Sequence, residues 1–237
     1  MTRWTTALLS TLLLAAGSAA QAADYVAGKN YTVIPQAQRT NVAPGKVEVM
    51  EVFSYGCPAC NQFRDTMKKL KASLPANAQL VYLPASWHAE ENWPLLQRAY
   101  FTAQAMGVAD KAHDAIYDAI WKSGELSALD PGSSNRLKSK LPGIDDVAKV
   151  YQRVAGVKAA DFVTTSQSFG VNLKMRQADS QITAMQVPST PTLVVNGKYM
   201  VLRESVKSDD ALIDLVKFLV AKESAPAAAP AAAAKKP

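Results

Sequence analysis

Cysteine and histidine are the scarce residues of this chain, with two of each among 237. Two histidines, scattered at positions 88 and 113, cannot complete a finger-type zinc site, which needs four ligands at close spacing. Charge is sparse too, at 19% of residues, and its excess is small. Lys and Arg number 26 against 20 acids, but Arg3 sits in a leader-like start and Lys235 and Lys236 in an Ala/Pro tail, so the body carries 23 basic side chains against 20 acidic. That balance argues against nucleic acid as a partner. No apolar run reaches the ~20 residues that span a bilayer, and no glycine-rich phosphate loop, nucleotide fingerprint or Ser/His/Asp constellation is found. Apolar material is plentiful at 49%, enough for a packed core and too much for a disordered chain.

The start of the chain reads as an export signal. Arg3 precedes an apolar run from Ala7 to Ala16, and Ala20 and Ala22 mark a cut before Ala23. We expect residues 1–22 to be a cleaved leader, with the rest soluble in an oxidising compartment. The small-residue cut site disfavours the alternative of an uncleaved anchor.

In such a compartment Cys57 and Cys60 are either paired as a staple or used in chemistry. Closing so short a loop is worth only about 2 kcal/mol before strain is subtracted, so the pair makes a poor staple. Metal binding is expected to be absent for want of ligands. The flanks place the pair where a strand becomes a helix. Residues 47–53, Val-Glu-Val-Met-Glu-Val-Phe, have the length and β-branched content of a buried strand. Ser54-Tyr55-Gly56 turns the chain, and Pro58 suits a first helical position. Phe63, Met67, Leu70 and Leu74 then recur at helical spacing until Pro75. Cys57 therefore belongs at a helix N-terminus, where unpaired N–H groups favour thiolate over thiol. Cys60 falls on the same face, one turn deeper. That geometry casts Cys57 as the exposed attacker and Cys60 as the shielded resolver.

Residues 79–83 read as a second strand, giving a βαβ unit. From about Trp93 the pattern is helical: Leu96, Ala99, Ala103 and Met106, then Ala112, Ile116, Ile120 and Trp121 closed by Gly124, then Val147, Val150, Tyr151 and Val154, then a long stretch over 159–183 with a break near Gly170. Strand character returns at 192–195 and 199–202 across Asn196-Gly197, a strong hairpin signal. Ser208 caps a final helix with Leu212, Leu215, Val216 and Leu219 on its buried face. From Ser224 the Ala/Pro composition predicts disorder.

A βαβ half and a ββα half, with C-x-x-C opening the first helix, is the thioredoxin arrangement, here interrupted by helices. The chain resembles the DsbA-type periplasmic thiol:disulfide oxidoreductases. Residues 53–60, Phe-Ser-Tyr-Gly-Cys-Pro-Ala-Cys, are similar to that family's active-site segment. Residues 190–199, Thr-Pro-Thr-Leu-Val-Val-Asn-Gly-Lys-Tyr, are similar to its cis-proline strand and hairpin, and Tyr25, Gly28 and Tyr31 to its N-terminal strand. The resemblance implies an α/β thioredoxin-like fold with a helical domain inserted between the halves. The expected divisions are 23–84 and 187–223 for the thioredoxin-like parts, 85–186 for the insertion and 224–237 for the tail. It also implies a cis Pro191 facing the cysteines and Thr190 offering backbone groups to an extended peptide.

For Glu51, spacing alone leaves two readings open: a buried acid beneath the cysteines that takes or relays the Cys60 proton, or a half-exposed strand acid such as Glu48 on the other face. The resemblance favours the first, because the family has an acid at this position. The lysine that accompanies it in some relatives is missing, Tyr82 being the nearest candidate. Ala59 is a second departure: the best-known branch has histidine there, which helps hold the thiolate. Trp87, His88 and Trp93 either border the site or, the preferred reading, form a loop packed on the helical insertion. His113 is expected at the surface, and Tyr100, Phe101, Tyr117 and Trp121 in the core.

The expected activity is transfer of the Cys57–Cys60 disulfide to unfolded exported proteins through a mixed disulfide on Cys57. No metal or organic cofactor is expected, a DsbB-type quinone-linked membrane protein would reoxidise the pair, and the expected state is monomeric. An isomerase or reductase of the same fold is the first alternative, disfavoured because only residues 23–46 precede the first redox strand, too few for a dimerisation domain. A non-catalytic peptide-binding chaperone is the second.

Overall fold

The computed structural model describes residues 25–133 and 135–224, so the expected leader at 1–22 and the tail beyond Ser224 lie outside the described residues. Five strands form one mixed sheet: β1 (Tyr31–Val33), β2 (Val47–Phe53), β3 (Ala78–Pro84), β4 (Thr192–Val195) and β5 (Tyr199–Val201), in the order β1-β5-β4-β2-β3. Only β2 and β3 run parallel, joined by α1 (Pro58–Ser73); the other pairings are antiparallel. All seven residues of β2 are buried, as the unbroken run required.

The two faces of the sheet pack against different layers. Val47 and Val49 of β2 and Leu193 and Val195 of β4 meet Phe63, Met67 and Leu70 of α1 and the apolar stripe of α7 (Asp209–Ser224). Each such side chain contributes roughly 2 kcal/mol by leaving water. Met50, Val52 and Val194 point the other way, into a core shared with five helices: α2 (Trp93–Ala105), α3 (Ala109–Trp121), α4 (Ile144–Ala155), α5 (Ala159–Ser166) and α6 (Phe169–Ala184). Tyr151 of α4 stacks on Phe162 of α5 with ring centroids 4.4 Å apart. No helix among the described residues is long and apolar enough to cross a membrane.

Local signals account for most boundaries. Ser208 Oγ accepts from the Ala211 N–H at the start of α7. Asn196 and Gly197 both adopt positive φ, 52° and 62°, the requirement of the two-residue hairpin between β4 and β5. Two boundaries differ from expectation. The break expected near Gly170 falls two residues earlier, at Gln167–Ser168, because Ser168 caps α6 by accepting from Val171 N–H at 3.3 Å. Ser224 ends α7 instead of opening the tail, with its hydroxyl donating to Val220 O and accepting from Asn77.

Candidate active site

β2 delivers the chain to a tight turn that is braced from three directions. Within the turn, Cys57 N–H donates to Ser54 O at 3.1 Å, and Gly56 N–H to Ser54 Oγ at 3.1 Å. Position 56 has no room for a side chain: a Cβ there would lie 2.6 Å from the Trp93 indole nitrogen and 3.3 Å from Leu96. From α3, Trp121 Nε1–H donates to Tyr55 O at 2.9 Å, and the Tyr55 hydroxyl pairs with His113 Nδ1 at 3.0 Å. Helix α1 starts directly afterwards, with Cys57 as its N-cap and Pro58 in the first turn.

The two sulfurs are treated differently by this arrangement. Cys57 Sγ accepts from the Cys60 N–H at 3.3 Å and lies 3.5 Å from Thr190 O, to which its thiol can donate. Hydrogen bonding from Cys60 brings the Cys57 thiol down to about 6 against the opposing effect of burial. Cys60, 1% exposed against 5% for Cys57, has its thiol pushed far up by burial and by the neighbouring Cys57. Both cysteines are buried, so Cys57 is not the exposed residue expected, but the easily ionised sulfur is the less enclosed of the two.

Glu51 is buried beneath the pair. Its carboxyl is lifted to about 8, first by burial and then by the Cys57 charge, so it is protonated at neutral pH. Its register partner on β3 is Tyr82. Glu51 and Cys60 share a pocket of about 110 Å³ with Tyr82, Arg64, Lys68 and His113. Arg64 on α1 spans the wall of this pocket to α3, reaching Asp114 at 3.0 Å and Asp118 at 2.8 Å.

Three sequence expectations need correction here. Glu48 is not half-exposed but fully buried, because the segment before β2 folds over that face and Asn41 N–H donates to its Oε2 at 2.6 Å. His113 is half-buried rather than a plain surface residue: it packs on Tyr82 at 4.4 Å and on Phe53, and burial pushes its imidazole down to about 4. Trp93 is not confined to the helical layer but presses on Gly56, while Trp87, 41% exposed, stacks on its outer side and His88 pairs with Glu90.

Pro191 follows a cis peptide bond and immediately precedes β4, next to the Thr190 carbonyl that meets Cys57. Together Thr190, Pro191 and Leu193 form one wall of a groove of about 460 Å³, with Ala59 and Phe63 of α1 on the opposite side and Arg203 lying over the Phe63 ring at 4.6 Å. The structure thus brings Cys57, Cys60, Pro58, Ala59, Glu51, Thr190 and Pro191 to one locality. Tyr55, Arg64, His113 and Trp121 join them without having been singled out for the site. The stripe His113, Tyr117, Trp121, recurring every four residues, was the available signal for a helix face turned to something other than ordinary core.

A family described as Thioredoxin matches residues 43–217. The thiol:disulfide interchange protein DsbA of Pseudomonas aeruginosa is 34% identical over 215 residues, covering 89% of this chain and 92% of that protein. Its counterpart from Pseudomonas syringae pv. tomato is 34% identical over 226 residues, covering 94% and 97%. Among solved structures, the oxidoreductase DsbA from Xylella fastidiosa matches with a TM-score of 0.72 at 28% identity, over 84% of this chain and 97% of that one. The sulfur pair at a helix N-terminus, the mixed sheet and these likenesses agree: the chain belongs to the thioredoxin family and, within it, to the DsbA thiol:disulfide oxidoreductases.

Proposed function

We propose that the protein works as a disulfide donor to unfolded, newly exported chains in the periplasm. The observation that carries this reading is the asymmetry of the sulfurs, with Cys57 held toward thiolate and Cys60 away from it. A substrate thiolate attacks Cys57 Sγ, the Cys57–Cys60 bond breaks, and Cys60 leaves with the electron pair. Glu51, whose proton is held first of all by burial, which does not depend on the Cys57 charge, stands ready to give that leaving thiolate its proton. A second substrate thiolate then attacks the substrate sulfur of the mixed disulfide, and Cys57 departs as a thiolate. The substrate is oxidised by two electrons and the enzyme is left as a dithiol, a direction driven by the comfort of Cys57 as an anion. Backbone groups of Thr190 and the groove beside Pro191 suit an extended peptide held by main-chain hydrogen bonds.

Reoxidation falls to a quinone-linked membrane protein of the DsbB type. Residues 23–84 and 187–224 carry the redox half of the chain, with Ser224 belonging to α7 rather than to the tail, 85–186 the helical insertion, 1–22 a leader and 225–237 a tail. The test is oxidation of a reduced, denatured client by the purified, oxidised protein. Full transfer that is lost in both Cys57→Ser and Cys60→Ser, neither of which can hold the disulfide, is the expected result; offered a disulfide-bonded client instead, Cys60→Ser should attack it through Cys57, release one client thiolate and accumulate the mixed disulfide. Reshuffling of a wrongly paired client without net oxidation would make it an isomerase instead, and suppression of client aggregation without oxidation, retained in Cys57→Ser, would make it a binding protein.

A further inference from the structure

The Tyr55 side chain and main chain are both held by α3, a helix that contributes no atom to the sulfur pair. Trp121 Nε1–H reaches Tyr55 O at 2.9 Å, and His113 Nδ1 meets the Tyr55 hydroxyl at 3.0 Å. Tyr55 is 1% exposed, edge-on to Tyr117 at 5.0 Å and to Phe53 at 5.1 Å, so it has no alternative rotamer that avoids the core. Two residues later the chain places Cys57 Sγ 3.3 Å from the Cys60 N–H and 3.5 Å from Thr190 O. A small swing of Tyr55 would move the turn, and hydrogen bonds weaken steeply once their geometry is lost.

We propose that Trp121 and His113 are positioning residues, which grip Tyr55 from the helical layer and thereby hold the Cys57 sulfur against the first turn of α1. This role rests on Cys57 being the reactive sulfur. It assigns to the helical layer a share in setting oxidising strength, beyond its service as packing. The imidazole is neutral, so it acts through the hydrogen bond and through ring contact with Tyr82 and Tyr117, not as a charge.

The test compares Trp121→Phe, His113→Ala, His113→Asn and Tyr55→Phe in the full chain. Three quantities are read: the Cys57 titration by thiolate absorbance, the equilibrium with glutathione, and the thermal midpoint. We expect Trp121→Phe to raise the Cys57 pKa by about one unit and to shift the glutathione equilibrium about tenfold toward the disulfide form, making a weaker oxidant. His113→Ala and Tyr55→Phe should move both readings by equal, smaller amounts that do not add in the double variant. His113→Asn, which can offer an oxygen near the Nδ1 position, should restore them. If the variants melt earlier while titration and equilibrium stay at wild-type values, the two residues are only structural and the proposal fails. Should Trp121→Phe not fold, the His113/Tyr55 pair decides on the same criteria. A wild-type protein whose first thiol titrates like free cysteine overturns the assignment of Cys57 itself, an outcome separate from unmoved variants.

Discussion

Two carboxylates three residues apart on β2 face opposite sides of the sheet, and both are buried, at 0% exposure for Glu48 and 2% for Glu51. Their surroundings differ. Glu48 accepts the Asn41 N–H and clasps the segment before β2 onto the sheet, and its strand is tied further by Asn196 N–H donating to Glu48 O. Glu51 shares a pocket with Cys60 and stands close enough to Cys57 to feel its charge. Burial raises both acids. What separates a clasp from a proton donor is therefore not desolvation but whether the carboxyl faces a group whose protonation changes during the reaction.

That contrast can be broken by substitution. The largest expected effect is that of Glu51→Gln on the reduced protein. An acid lifted from its ordinary 4.5 to about 8 leaves the folded state holding a proton that the unfolded chain has lost, so wild-type stability is complete below pH 4.5 and falls as pH rises toward 8. Removing the titration should stabilise the reduced protein by up to roughly 5 kcal/mol above pH 8 and by almost nothing near pH 4, measured by denaturant unfolding across pH. In the oxidised protein the gain should shrink, because the Cys57 charge is no longer there to raise the acid. An equal gain in both redox states would mean that burial alone lifts Glu51.

Glu48→Ala should act in the opposite sense and only on the fold. It leaves the Asn41 N–H without its acceptor and opens a cavity, for a loss of about 2 kcal/mol, with the glutathione equilibrium unmoved. A shift in that equilibrium would erase the distinction between the two acids. The smallest effect sits far from both. Ser168→Ala removes the cap between α5 and α6 and should lower stability by about 1 kcal/mol, leaving titration and equilibrium alone. A change in either would extend the redox influence of the helical layer beyond the Tyr55 contacts.

Elements governed by near neighbours were legible in the residues themselves. β2 at 47–53, α1 from Pro58 and the Asn196-Gly197 hairpin follow from β-branched content, a proline at a helix start and a turn that tolerates positive φ. β1 was not legible by pattern, since three residues at a sheet edge carry no periodicity and its pairing with β5, from Tyr31 with Val201 to Val33 with Tyr199, defines it. In the site, the cysteines, Glu51 and Pro191 were visible through motif and resemblance. Glu48, His113 and Trp93 were misjudged because each is covered or contacted by another segment: the stretch before β2 for Glu48, β2 and β3 for His113, and the turn at Gly56 for Trp93. The distance from Tyr55 to His113 along the chain is 58 residues, and no window of local pattern spans it.

By itself the sequence determined that Cys57 opens a helix and that Cys60 lies one turn behind it, because both facts depend on a strand, a turn and a proline within a dozen residues. Only the tertiary structure decided which carboxyl faces Cys60, that the His113 imidazole is held neutral and which helix holds the turn. Ionisation energies depend on the exclusion of water by whatever packs around a group, and the segments that exclude it here are assembled from the whole length of the fold.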